Sequence, residues 1–242
     1  MKKVINICWL ISCLLITLVS CEIDNYDVPN ASFSGCIKDA VTGELVGTDL
    51  QNGSTIRAYE LGWETPTAQT WVIKQNGEFQ NDMVFASRYN LEFINGNFYP
   101  FTVENFEIKK GNNTHDFAVT PYIRIKNTSI IHDTANNRIV ATFSLEEGKS
   151  GVKVSSIRLY AFTDMYVGEQ VKFSTSGDHF SRDFSPAQHI DETVYTLIID
   201  LEANTGLFKY SRNYYFRIGA LANVSGVGTV RHNYSPLIVI AL

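Results

Sequence analysis

No two of the chain's cysteines are spaced as C-x-x-C, and only four occur, at positions 8, 13, 21 and 36. A thiolate metal centre or a dithiol redox site of that kind is thereby excluded. There is no H-E-x-x-H and no G-x-S-x-G, so neither the helical zinc site nor the strained serine elbow is present. Basic residues are in deficit, 20 Lys and Arg against 25 Asp and Glu. That balance argues against a nucleic acid or an anionic surface as partner. A long hydrophobic run is missing as well. The longest stretch, residues 4–19, is interrupted by Asn6, Ser12 and Thr17, and it is shorter than the roughly 20 residues a membrane-spanning helix needs.

That stretch, preceded by Lys2 and Lys3 and followed by Leu18-Val19-Ser20-Cys21, reads as a signal peptide. The last four residues resemble the lipobox of bacterial lipoproteins. The resemblance implies lipidation of the Cys21 thiol by palmitate-type acyl chains, cleavage after Ser20, and outer-membrane lipid as a partner through that anchor. Several acyl chains hold firmly where one does so marginally. Residues 1–20 would then be removed, and Cys36 would be left as the sole free thiol, expected as a small buried side chain among strand residues. Removing Lys2 and Lys3 leaves 18 basic against 25 acidic side chains, a net charge of about −7. Residues 21–30 form a tether carrying Glu22, Asp24 and Asp27. Such an acidic stretch resembles the signal that sends Bacteroidota lipoproteins to the outer face of the outer membrane.

From residue 31 the pattern is one of short alternating segments. Ile56 and Ala58 fall on one face and Arg57, Tyr59 and Leu61 on the other, the period of a half-buried strand. Asn76-Gly77 predicts a type I′ hairpin turn, which needs φ > 0 at both positions. Tyr89, Leu91 and Phe93 make a further stripe, and Lys110-Gly111-Asn112-Asn113 reads as a turn. The series Gly35-x-Ile37-x-Asp39-x-x-Thr42-Gly43-x-Leu45, then Asn76-Gly77-x-Phe79 and Tyr89-x-Leu91, resembles the carboxypeptidase-regulatory-like domain, although Ser87 stands where that family has glycine. The resemblance implies a transthyretin-like β-sandwich over residues 31–121 with no catalytic role.

The second half, residues 122–242, repeats the alternation. Its stripes are Ile139-Ala141-Phe143-Leu145, Ile157-Leu159-Ala161, Tyr195-Leu197-Ile199-Leu201 and Tyr214-Phe216-Ile218-Ala220-Ala222. These predict an immunoglobulin or fibronectin III-like sandwich. Residues 163–192 have the weakest strand pattern and read as a long loop with a short helix after Pro186. The fold class is thus all-β, two tandem sandwiches behind a lipoprotein signal peptide.

Lipobox, acidic tether and two β-domains, joined by Asp116-Phe117-x-Val119-Thr120-Pro121-Tyr122, together resemble a Bacteroidota lipoprotein family of unknown function. That family is encoded beside SusC/SusD-type importers. The resemblance implies a non-enzymatic accessory of glycan uptake, acting by binding glycan or by docking on the importer. A structural or adhesive subunit of fimbrial type is the alternative, with the apolar terminal strand of residues 236–242 as its pairing element.

No residue pattern asks for a cofactor or a metal. The five histidines, His115, His132, His179, His189 and His232, fall in no ligand spacing and read as surface or turn residues. Asp178-His179-x-Ser181-Arg182-Asp183 holds the residue types of a hydrolytic triad, but triads draw their members from separated segments, so it reads as a polar loop. Glu146-Glu147, Asp191-Glu192 and Asp200-x-Glu202 read as solvated turn charges. Asp133-Thr134-Ala135 resembles a short O-glycosylation acceptor. For ligand binding the candidates are aromatic rings near turns, on which a sugar's CH face could stack: Trp63, Trp71, Tyr99, Tyr160 and Tyr166. Large rings also favour cores.

Overall fold

The computed structural model describes residues 28–242, so the expected signal peptide and the expected lipidation site Cys21 lie outside the described residues. Among the described residues every regular element is a strand. The alternation in each stripe has one physical cause: successive side chains of a strand face opposite ways, so every second residue can enter a core.

Eight strands form the first sandwich: β1 (Ala31–Asp39), β2 (Thr55–Glu60), β3 (Ala68–Val72), β4 (Glu78–Val84), β5 (Ser87–Ile94), β6 (Phe101–Ile108), β7 (Gly111–Thr114) and β8 (Phe117–Val119). One sheet runs β4-β1-β7, with β8 also on β1, and the other runs β3-β2-β5-β6. Between them lies a core rich in aromatic rings. Phe33 meets Trp71, Phe79, Phe106 and Phe117 at centroid distances of 5.2 to 6.3 Å. Phe93 stacks on Phe101 at 4.3 Å.

The second sandwich comprises β9 (Ile123–Asp133), β10 (Arg138–Glu147), β11 (Lys153–Phe162), β12 (Ser181–His189), β13 (Val194–Asp200), β14 (Asn213–Asn223), β15 (Asn233–Tyr234) and β16 (Ile238–Ala241). Its sheets are β13-β10-β9 and β12-β11-β14, the latter continued by β15 and β16, both paired with β14. All four sequence stripes enter its core, with Ile139, Ala141, Phe143, Phe216, Ile218 and Ala220 fully withdrawn from water.

Four local expectations are corrected. No helix follows Pro186; the residue lies in the edge strand β12. Pairing with β11 jumps from Ser156↔Asp183 to Val154↔Gln188, so Pro186 sits in a bulge where no ladder donor is needed. Residues 111–114 are a strand, not a turn, because β1 pairs with them in parallel from Ala31↔Gly111 to Ser34↔Thr114. At Asn76-Gly77 only Gly77 has positive φ, 89°. The bend carries the chain from one sheet to the other through the single bridge Ile73↔Phe79, so it has no pair of twisted hairpin strands to match. Cys36 is half-buried rather than buried. Its backbone N–H donates to Asp116 Oδ1 at 2.9 Å, and burial and the Asp116 charge push the thiol pKa up.

The two ends of β1 fix the layout. At its start, Ala31 pairs with Val84 and Gly111. At its finish, Asp39 is bonded to Arg124 of the second sandwich. The chain therefore enters the first sandwich at the end remote from the second.

Candidate functional site

Burying an arginine is costly unless each donor finds an acceptor. At the junction of the domains each of the three guanidinium nitrogens of Arg217 finds an acceptor. It sits on β14 between Phe216 and Ile218 and is 3% exposed. Its Nε donates to Ser235 O at 3.1 Å, Nη1 to Thr48 O at 3.1 Å and Nη2 to Gln75 O at 3.3 Å. The guanidinium also lies 4.1 Å from the centroid of the Tyr234 ring. Burial lowers its pKa to about 10, so it stays charged at neutral pH. Gly47 passes directly over this group, where a Cβ would overlap the guanidinium.

Beside Arg217, Tyr234 donates to Asp49 Oδ2 at 2.5 Å, and the Glu169 N–H donates to Asp49 Oδ1 at 3.1 Å. Burial raises the Asp49 pKa, against the Tyr234 hydrogen bond and the Arg217 charge, which lower it. Further along, Asn97 donates to Gly47 O (2.7 Å) and His232 O (3.1 Å), and Asn233 donates to Asn97 O (2.7 Å). Arg124 reaches back to Asp39 with Nε and Nη2, the latter at 3.0 Å, while Nη1 donates to Glu146 at 2.9 Å. Burial alone would raise the Asp39 pKa; the Arg124 hydrogen bonds and charge, with the Val41 N–H, bring it below the usual carboxylate range.

Above the Asp39–Arg124 pair and Arg217 a cleft of about 480 Å³ opens between the domains. Leu45, Val46 and Asn76 line it from the first sandwich, and Ile123, Ile125, Pro236 and Leu237 from the second. Glu44 and Lys126 stand in its wall, and neither makes an ion pair among the described residues. At the floor Asp39 and Arg124 pair with each other, while Arg217 is held by backbone carbonyls and the Tyr234 ring. A lining that mixes apolar side chains with many polar ones suits a ligand that has both apolar faces and hydroxyls.

The five aromatic candidates do not assemble a platform, and none lines this cleft. Trp71 is 5% exposed and packs edge-on against Phe33 in the first core. Tyr160 is 1% exposed, with its hydroxyl donated to Glu169 Oε2 at 2.6 Å. Both are corrected from ligand candidates to packing residues: Trp71 points into the first core, and Tyr160, on the face of β11 opposite Leu159 and Ala161, is covered at the domain junction by Tyr234 and His232. Tyr99 is half-covered, edge-on to Tyr122 at 4.9 Å with Lys149 Nζ 3.9 Å above its ring. Trp63 and Tyr166 are exposed but apart. Trp63 follows β2 at the Tyr59↔Ala68 end, whereas Met165 and Val167 beside Tyr166 accept from Gln75, just beyond the opposite Thr55↔Val72 end.

His232 is also corrected, from a surface histidine to an interface one. It packs against Tyr160 and Tyr234 at 6.2 and 6.0 Å, and burial lowers its pKa to about 4. His115 lies edge-on to Phe106 and Phe117 at the side of the first core. Asp133 pairs with Arg138, and Asp191 and Asp200 accept from nearby backbone N–H groups, as solvated turn charges do. The sequence did hold a sign of the junction. Arg217 inside Tyr214-Tyr215-Phe216-Arg217-Ile218, and Arg124 between Ile123 and Ile125, are charges in apolar runs, and a buried charge needs a partner.

Two family models match the chain: "Protein of unknown function (DUF3823) N-terminal domain" over residues 31–120 and "Domain of unknown function (DUF3823_C)" over residues 123–238. No curated protein sequence matches it significantly. Among solved structures, the chain is similar to a candidate carbohydrate binding protein from Bacteroides uniformis ATCC 8492. The identity is 53% and the TM-score 0.85, over 88% of this chain and 100% of that one. It is also similar to a DUF3823 family protein from Parabacteroides merdae ATCC 43184 (20% identity, TM-score 0.69, 88% and 100% covered). Another from Bacteroides ovatus ATCC 8483 gives 21% identity and TM-score 0.69, with 87% and 98% covered. These last two bear on the fold alone.

Proposed function

The chain belongs to the two-domain DUF3823 family, and from that premise we propose that it is a cell-surface lipoprotein binding glycan without catalysis, in the service of a SusC/SusD-like importer. The observation that carries the reading is the inter-domain cleft, with its mixed apolar and polar lining and with Glu44 and Lys126, which make no ion pair among the described residues. The 53% identical relative, a candidate carbohydrate binding protein, supports the ligand class. The lipobox-like residues ending at Cys21 support the anchor.

The layout suits display. The chain enters at the remote end of β1, and the strand's 9 residues span about 30 Å. An anchor at Cys21 would hold the cleft and the second sandwich away from the bilayer, with Trp63 on the membrane side. The importer would dock on, or receive glycan from, the outward half.

The protein from residue 22 onward contains all the described strands and both cores, and is the material for the test. It should be retained by at least one polysaccharide on an affinity gel. The double variant Glu44→Ala/Lys126→Ala, which removes no described ion pair, should weaken retention about tenfold while leaving the melting temperature unchanged. Retention unaltered by the double variant would remove the cleft from the account. Absence of retention, together with no importer co-purifying with the lipidated protein, would remove the function.

A further inference from the structure

The end of the first sandwich remote from the second carries exposed apolar side chains. Val28 is 78% exposed, Met83 72% and Trp63 62%. Their backbones gather where the chain enters the sandwich. Met83 precedes Val84, which pairs with Ala31 at the start of β1. Asn30 accepts from Gly111 N at its carbonyl (3.0 Å) and from Ala86 N at its side chain (2.8 Å). Leu61 N donates to Arg88 O at 2.8 Å, which brings the Trp63 loop, between β2 and β3, to the same end. Leu61 and Phe85 add half-buried apolar surface there. Single exposed apolar residues need no explanation, but several at one end of a domain mark an interaction surface.

The exposed charges of this end offset one another: Arg88, Lys109 and Lys110 stand against Glu64, Asp82 and Glu107. Glu22, Asp24 and Asp27 in the preceding stretch add only negative charge. Anionic headgroups are therefore not favoured, and the fitting partner is apolar within and without net charge at its surface. A zwitterionic bilayer has that chemistry, and an indole ring, apolar with one polar N–H, suits its headgroup level. Chain length points to the same occupant. Seven residue steps separate Cys21 from Val28, a span of at most about 25 Å. With an acyl anchor at Cys21 this end is kept beside the bilayer, and the effective concentration of lipid at it is high.

We propose that this end of the first sandwich docks on the bilayer, with Val28, Trp63 and Met83 entering the headgroup layer of zwitterionic phospholipid. The inference rests on the reading of Cys21 as the anchor. The apolar contact is weak alone and becomes persistent through the acyl tether. It holds β1 upright on the membrane, so the inter-domain cleft faces outward instead of swinging on the tether.

In the protein from residue 22 onward the tryptophans are Trp63 and the buried Trp71, so Trp63 reports the contact. A histidine tag before residue 22 anchors this protein to phosphatidylcholine vesicles containing nickel-chelating lipid, whether or not Cys21 is acylated in the cell. Brominated phosphatidylcholine should quench the emission relative to plain lipid, and the emission maximum should move to shorter wavelength. Neither salt nor added phosphatidylglycerol should strengthen the effect. Trp63→Phe should leave an emission that the brominated lipid does not alter. Val28→Ser/Met83→Ser should cut the quenching by about half or more with the melting temperature unchanged. The proposal is overturned if brominated and plain lipid give the same emission, or if the double variant is quenched like the parent. It is also overturned if the emission shifts only when solubilised outer-membrane protein is added, since the face then belongs to a protein partner. Mass spectrometry of the protein purified from cells tests the anchor separately. An unacylated Cys21 would remove that premise, while the vesicle result still decides whether this face binds lipid.

Discussion

At the residue scale, the domain junction depends on polar side chains taken out of water with their partners. His232 is the titratable example. Its folded pKa, lowered to about 4 by burial, lies below the roughly 6.5 of a free histidine. Between those values the unfolded chain binds a proton that the folded chain refuses, so folding stability is complete above about pH 6.5 and falls as pH falls toward 4. Glu169 works against this shift, while Arg158 and Lys172 reinforce it. Urea unfolding at pH 7 and pH 5 should show a loss of about 2 kcal/mol in the parent. His232→Gln should flatten that part of the pH profile, and an unchanged slope would mean the imidazole is not buried in solution.

At the element scale, the terminal strand carries the sharpest contrast between readings. As a fimbrial-type pairing element it would be free. In the structure β16 runs antiparallel to β14 from Asn213↔Ala241 to Phe216↔Ile238, and Arg212 and Leu242 exchange two backbone hydrogen bonds. One of its edges is therefore occupied within its own domain. Ile238, Ile240 and Leu242 pack against the second core. Deleting residues 237–242 should lower stability by about 3 kcal/mol or more, since apolar side chains and a ladder are lost together. Calorimetry or urea unfolding reads this directly; a truncated protein of parental stability would return the strand to the structural reading.

At the scale of the whole molecule, the two sandwiches are joined by interactions that neither domain can satisfy alone. Arg217 belongs to the second domain, yet two of its acceptors, Thr48 O and Gln75 O, belong to the first. Asp49 of the first accepts from Tyr234 of the second. Separation would expose or orphan all of these, so the protein should melt in one calorimetric transition. Arg217→Met keeps the apolar stem but leaves those carbonyls and the Asp49 charge without the guanidinium. It should cost about 3–5 kcal/mol and split the melt into two transitions, one for each sandwich. A variant that still melts in a single sharp transition would show that packing, not this arginine, couples the domains.

The sequence by itself determined the all-β class, the strand stripes and the absence of a motif-borne catalytic site. Those features are local: alternation such as Tyr214-Phe216-Ile218 is complete within one strand, and a missing spacing motif is visible without a fold. Tertiary structure decided which aromatic rings meet water. Trp63 and Trp71 look alike in the chain, yet one ends on a loop and the other under Phe33. It also decided the cleft. Asp39 meets Arg124 and Asp49 meets Tyr234 through pairings between separate sheets. Strand periodicity says which way a side chain points, but the sheet it points toward is set by how distant strands assemble.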